Sequence, residues 1–452
     1  MLGLVVLLLF AGGLACAQPL TLPQAVDEAV NKYPATRVSL EQVSAAAATV
    51  NLARTAYLPR ADFLGQINRA TRNNVFGLTL PQPVMPSISG PVLGTNSLTN
   101  AWGSAAGVLV AWEPFDFGLR HANVEAADSV RRRAEAGAGL TRFEVAASAA
   151  DAFLTLAASE QAVLAARAGV DRARVLNQVV EALANAELRP GADAARTRAE
   201  LARAETQLIQ AEQAVSVARA SLAQLLGVEP ARVGIQAGPL LALPPASPAQ
   251  PESLRNHPLA QEQDAAVEEV KAREHALARS YFPRFNLLGA VYARGTGNRT
   301  DGTTGGAFSG IGPNIQNWVL GMNVTFPALD LPSLHARRQA ELHRELAETA
   351  QYHRVLQDLG GQRERARAQL EGARRVAANT PIQLEAARAA EQQAQARYRA
   401  GLGAVIEVAE AQRLLTQAEI EDSLAKLGVW RALLAAAAAE GDLDPFLKQA
   451  GK

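Results

Sequence analysis

The sequence predicts a mainly α-helical chain with a membrane β-barrel portion, written as two copies of one unit. Three observations predict it. First, "AYLPRADFLGQ" at residues 56 to 66 is echoed by "SYFPRFNLLGA" at 280 to 290, and the "NKYP" ending at Pro34 by the "RNHP" ending at Pro258. Both echoes are 224 residues apart, too long for a solenoid repeat and right for a duplicated large unit. Second, apolar residues make up 48% of the 452 positions while aromatics are only 5%, with alanine carrying much of the count. That balance suits long helices. Third, each copy holds a short alternating stretch ending in aromatics, the pattern of a strand that faces lipid on one side.

The elements follow in chain order. Residues 1–17 read as a signal peptide: an apolar run from Leu2 to Phe10, then small residues and Ala15-Cys16-Ala17, an A-x-A cleavage site. Leu14-Ala15-Cys16 half resembles a lipobox, so lipidation of Cys16 stands as the second reading of the same segment. Cys16 is the sole cysteine, so no disulfide forms within the chain. The first copy is expected over 18–227. It opens with a helix beyond Pro34 that Pro59 stops. A strand follows at about 61–69, placing Phe63, Gly65 and Ile67 on one side and Asp62, Gln66 and Asn68 on the other. An Asn/Pro/Gly/Ser-rich loop leads to a second strand at 102–112, with Trp102, Ala106, Val108, Val110 and Trp112 on one face. Ten residues span about 33 Å of strand, enough for a tilted strand to cross a hydrocarbon layer with an aromatic at each interface.

After "EPFDFG" (113–118), apolar residues at Phe143, Ala147, Ala150, Leu154, Ala157, Leu164 and Ala168 step by three and four and predict a helix over about 119–185. Such a helix is roughly 100 Å long, far beyond globular lengths. A turn at "NAELRPGAD" and a helix from about 193 to Leu226 close the copy. Residues 228–252 read as a Pro-rich linker or equatorial segment. The second copy, 253–443, repeats the order: helix 253–280, strand 284–294, a flexible external loop at 295–316, strand 317–326 and a helix over about 332–398 that Pro381 should kink. A last helix runs to about 439, and 444–452 form a tail. In the second strand pair, Trp318, Leu320, Met322, Val324 and Phe326 share a face.

Four strands cannot close a barrel, and open edges are not tolerated in lipid. Several chains must share one barrel; two would give eight strands and three twelve. No segment supplies eighteen uninterrupted apolar residues for a transmembrane helix. The helices, too polar for lipid, are expected to continue as a tube in the aqueous compartment.

The duplicated order helix, strand, strand, long helix, helix resembles the TolC-type outer-membrane efflux family, the outer-membrane factors of tripartite efflux and type I secretion systems. "LTLPQAVDEAVNKYP", the "YLPR" and "YFPR" junctions with Pro59 and Pro283, "EPFDFG" and "YRAGLGAVIEVAEAQ" carry the likeness, from about Leu20 to Leu443. The resemblance implies a homotrimer, a twelve-stranded outer-membrane barrel continuous with a periplasmic α-helical barrel, and docking onto a periplasmic adaptor and an inner-membrane transporter. It implies a passive duct, closed at its periplasmic tip. There Tyr398 matches the aromatic latch, Glu407 and Glu410 the two acids facing the tunnel, and Asp193 the acid that meets the tyrosine. Glu407 and Glu410 are three apart and share a helical face, so three chains would ring the tunnel with six carboxylates. Gly403 stands where some relatives have a basic latch residue and Glu187 where the first turn usually has glycine; Arg189 or Arg399 would then supply the cation.

Other classes are weighed against this. Lys+Arg and Asp+Glu are both 44, giving no basic excess for nucleic acid. The six histidines form no H-E-x-x-H pattern, no cysteine supports a metal site, and no G-x-S-x-G or phosphate loop occurs. No enzyme and no cofactor are expected. His121 and His335, just after each strand-to-helix junction, are expected to cap or pack there. A periplasmic coiled-coil scaffold or adaptor without a pore is the alternative, but it has no need of aromatic-ended strands. A monomeric soluble binding protein would leave the long helices' apolar stripes uncovered.

Overall fold

The computed structural model describes residues 19–71, 73, 96–188, 190–245, 253–301 and 303–451. The expected signal peptide, Cys16 and Arg189 lie outside them. Two units are recognised: one from residues 1–43, 134–265 and 349–452, the other from 44–133 and 266–348.

The element order is α1 (Leu22–Lys32), α2 (Pro34–Thr55), β1 (Arg60–Thr71), β2 (Asn100–Phe115), α3 (Leu119–Asn185), α4 (Gly191–Leu226), α5 (Pro258–Arg279), β3 (Arg284–Thr296), β4 (Ile315–Thr325), α6 (Leu331–Arg399), α7 (Val405–Glu440) and α8 (Asp444–Ala450). The duplication is visible in the lengths. α2 and α5 are 22 residues each, α4 and α7 are 36 each, and α3 and α6 are 67 and 69. Among the described residues no helix is long and apolar enough to cross a membrane.

The helices stop earlier than the junction prolines suggest. α2 ends at Thr55 and α5 at Arg279, four residues before Pro59 and Pro283. Proline disfavours the helical region for the residue before it. The chain therefore leaves the helix through tight turns, such as Leu58 N–H to Thr55 O and Phe282 N–H to Arg279 O. α6 continues through Pro381. Beside it, the Thr380 hydroxyl donates to Asp422 Oδ1 at 3.1 Å, and both residues are buried.

The helical unit is more ordered in three segments than the sequence suggests. A helix, α1, precedes Pro34, capped by Thr21 and Gln24. The expected linker is not free chain: Val233 and Leu240 are buried in the core, Leu20 bridges Ile235, and the Trp430 indole N–H donates to Ala242 O. The expected tail is α8, whose Phe446 and Ala450 are buried in the same core. Prolines made these segments read as loose, but their apolar residues meet one core. It also holds Leu22 and Val26 of α1, Phe153 and Leu156 of α3, Leu222 and Leu226 of α4, and Trp430 of α7. Each such large side chain contributes about 1.5–3 kcal/mol by leaving water.

His257 ties this core together. Its Nδ1 accepts the Leu259 N–H at 3.1 Å, capping α5, and its Nε2–H reaches Ala438 O at 3.1 Å, near the end of α7. Phe143 packs edge-on against the ring, and Glu144 and Arg365 line the adjoining hollow. Burial holds its pKa below the usual 6.5, against the opposing hydrogen bond to Ala438. The folded state thus favours neutral imidazole. The resulting stability is complete above pH 6.5 and is lost as pH falls from 6.5 towards the depressed folded value. A His257→Gln variant is expected to show a flatter fall in thermal midpoint with acidification below about pH 6.5; a slope identical to wild type would contradict this role.

In the other unit the four strands form one antiparallel sheet in the order β1-β2-β3-β4. The register puts Phe63 opposite Val108, Val108 opposite Val291, and Val291 opposite Trp318. Since alternate residues share a face, Phe63, Ile67, Val110, Leu287, Leu320, Met322 and Val324 all fall on that side. Phe63 is 87% exposed and Trp318 78%. The opposite face carries Asp62, Gln66, Asn68, Asn286, Asn323 and Thr325. The loop after β3 is more ordered than its glycines suggest. Gly297 N–H donates to Trp102 O at 2.8 Å and Gly305 N–H to Gly297 O at 3.0 Å, folding it back on the end of β2.

Candidate functional site

The hairpin turns of the helical unit carry the expected gate residues. Both turns have one backbone design. Leu188 N–H bonds Leu183 O, and Leu402 N–H bonds Arg397 O, each closing a left-handed helix end. Gly401 takes the positive φ of 73° in the second turn, and Glu187 takes φ 59° in the first. A non-glycine residue there costs about 1–2 kcal/mol.

Tyr398 is buried, 9% exposed, in a cluster with Val180 of α3, Ala194 of α4, and Val405 and Val408 of α7. The ring thus joins the ends of four helices. Asp193, the residue before Ala194, lies half-buried in the first turn of α4, where the helix dipole favours a negative charge. Glu407 lies in the first turn of α7 and Glu410 one turn on, both exposed.

The cation that meets Glu407 is Arg397, with Nε 3.8 Å from Oε2. Arg397 also donates to Leu402 O at 3.4 Å. Arg399 turns back along α6 to Gln395 Oε1 at 3.3 Å. Gly403 makes room for this pairing: a Cβ there would lie 3.2 Å from Glu407 Oε2 and 3.3 Å from Arg397 Cβ. The sequence points to Arg189 or Arg399 and does not single out Arg397, which the path of the turn brings to Glu407.

At the helix-to-strand junction the structure brings together residues that spacing did not single out. Asp116 Oδ2 accepts from Arg120 N–H (2.7 Å) and Nε–H (2.9 Å), and Oδ1 accepts from Gly118 N–H (3.1 Å). Burial pushes the Asp116 carboxyl up, but these bonds and the guanidinium charge outweigh it and hold its pKa below the usual 3.8. Arg120 also lies over the Tyr57 ring and donates to Ala56 O. Phe117, at φ 53°, contacts Phe115, Phe282 and Phe285. His121 is exposed instead of capping the junction, and so is His335. The expected interface aromatics Trp112, Trp318 and Phe326 are exposed and Trp102 is half-buried. Trp112 donates its indole N–H to Tyr57 O at 3.1 Å. Among the described residues no His, Cys, Asp and Glu cluster suits a metal ion.

The sheet's edges decide its setting. Among the described residues β1 pairs only with β2 and β4 only with β3, so a sheet with one apolar face and two open edges awaits further strands. The sequence profile of the outer membrane efflux protein family matches residues 25–228 and 250–441. The chain belongs to the outer membrane efflux protein family. Membership places it in the outer membrane, with its helical portion in the periplasm. Among solved structures, the CmeC outer membrane channel of Campylobacter jejuni aligns with a TM-score of 0.73 at 15% identity, covering 95% of this chain and 89% of that one. The open-state MtrE outer membrane channel of Neisseria gonorrhoeae aligns at 0.70 and 17%, covering 93% and 89%. These neighbours share the fold, and they are channels rather than enzymes. Protein CyaE of Bordetella pertussis (strain Tohama I) is 29% identical over 242 residues, 54% of this chain. The match takes in 45% of that relative, so the chain spans about half its length.

Proposed function

We propose that this chain is a passive exit duct of the outer membrane. Three copies join edge to edge into a twelve-stranded barrel, each repeat (18–227 and 253–443) supplying two strands. Their helices form the periplasmic conduit, which docks onto a periplasmic adaptor and an inner-membrane transporter. The observation that carries this reading is the four-stranded sheet with one apolar face and both edges open. An even number of antiparallel strands per chain lets β4 of one copy pair antiparallel with β1 of the next. Closure then satisfies every backbone group in lipid. Protein extracted from outer membranes in mild detergent is expected to have the mass of three chains; a monomer that keeps its helical content would contradict it.

In this reading the hairpin turns are the gate. Tyr398 holds the ends of α3, α4, α6 and α7 together, with Asp193 beside its packing partner Ala194. Glu407 and Glu410 supply a carboxylate ring that draws cations. Arg397 partly offsets Glu407 and braces the turn, a part that Arg399, turned back to Gln395, shares only if the gate rearranges; Arg189 lies outside the described residues. Tyr398→Ala removes the packing that joins the four helix ends. It is expected to raise single-channel conductance and the fraction of time spent open, read in a planar bilayer. Steps indistinguishable from wild type would remove Tyr398 from the gate.

A further inference from the structure

We infer that Arg69 and Trp102 form a seat for the phosphomonoester of a net-anionic lipid headgroup of the outer leaflet. Arg69 lies on the apolar face of the sheet, in register with Phe63 and Ile67 on β1 and directly opposite Trp102 on β2. This is the end of the strands farthest along the chain from α2 and from the junction before α3, hence the external end. Between Trp102 and Trp112 the strand rises about 33 Å. Tilted as barrel strands are, that spans close to the roughly 25 Å apolar band of an outer-membrane barrel. Arg69 therefore stands at the height of the outer headgroups, on the lipid side of the wall.

The side chain is held in place. Its Nε–H donates to Asn100 Oδ1 at 2.6 Å, and its guanidinium carbon lies 5.1 Å from the centre of the Trp102 ring. Stacking on tryptophan and one fixed hydrogen bond set the plane of the guanidinium. Among the described residues nothing bonds its two Nη groups, and the residue is exposed. A planar fork with both outer nitrogens available fits two phosphate oxygens. A guanidinium kept at the lipid boundary with no carboxylate partner among the described residues matches the negative charge of the headgroups. Asp62, the acidic residue of β1, lies on the other face by register.

The test uses the full chain, purified in dodecyl maltoside. Diphosphorylated lipid A, phosphatidylcholine and inorganic phosphate are titrated separately, with binding followed by intrinsic tryptophan fluorescence and thermal midpoint. Lipid A is expected to bind wild type and to bind Arg69→Ala about tenfold more weakly, the loss of one charge-assisted pair. Arg69→Lys, which keeps the charge but loses the fork, is expected to fall between them, as is Asn100→Ala, which frees the guanidinium. These two variants carry the test if Arg69→Ala does not fold. Equal affinity of lipid A for wild type and the variants overturns the proposal. So does phosphatidylcholine binding as tightly as lipid A, and a matching response to inorganic phosphate would assign the site to free anions instead.

Discussion

Replacing Asp116 with alanine is expected to destabilise the strand-bearing unit by about 3–5 kcal/mol, the cost of stranding a buried charge. The side chains of Asp116 and Arg120 are only 8% and 9% exposed. Without the carboxylate, the guanidinium keeps the Tyr57 ring and Ala56 O but no counter-charge. The Gly118 and Arg120 amides also lose their acceptor, just where Phe117 holds a positive φ. Removing both partners, as Asp116→Ala with Arg120→Met, is expected to cost much less, since no buried charge remains. Urea denaturation of the two variants against wild type checks this; equal losses would show that the charge pair is not what holds the junction. The lowered Asp116 pKa adds a pH signature. The stability it contributes is present above the unfolded value of about 3.8 and lost as pH falls from there through the lower folded value.

The second large effect is electrical. In the proposed trimer, removing Glu407 and Glu410 together would take six carboxylates from the ring. The preference for cations over anions is expected to fall on the order of tenfold, the scale on which a charged constriction concentrates counter-ions. Arg397→Ala should act in the opposite sense, because Arg397 lies 3.8 Å from Glu407 and offsets it. Reversal potentials across a salt gradient measure both. A ratio unchanged in the double variant would place the selectivity elsewhere in the duct. A loss of cation preference in Arg397→Ala would show that Arg397 braces the turn without offsetting its charge.

Much of the fold was legible because its signals are local. The 224-residue offset, the alternating strand faces and the Ala-rich helical periods each reside in a short window of sequence. What the sequence hid was decided by burial between distant segments. Prolines at 230, 239, 244 and 245 read as a linker, yet Leu240 and Val233 fill the core. Phe446 read as part of a tail, but Trp430 lies 6.2 Å away to receive it. Asp116 and Arg120 are four residues apart in plain view, and nothing local says that the Tyr57 ring lies against Arg120. At the expected gate, Tyr398, Glu407 and Glu410 follow from a family likeness, while Arg397, which the sequence does not single out, is set beside Glu407 by how the chain leaves α6. The exposed apolar face of the sheet was readable strand by strand; only the register shows that the four faces coincide.

The most direct test of the duct is single-channel recording from wild-type protein, extracted from outer membranes as a folded oligomer and inserted into a planar lipid bilayer. The account predicts discrete, cation-preferring conductance steps. A folded oligomer that inserts and carries no current would contradict it and favour a scaffold without a pore.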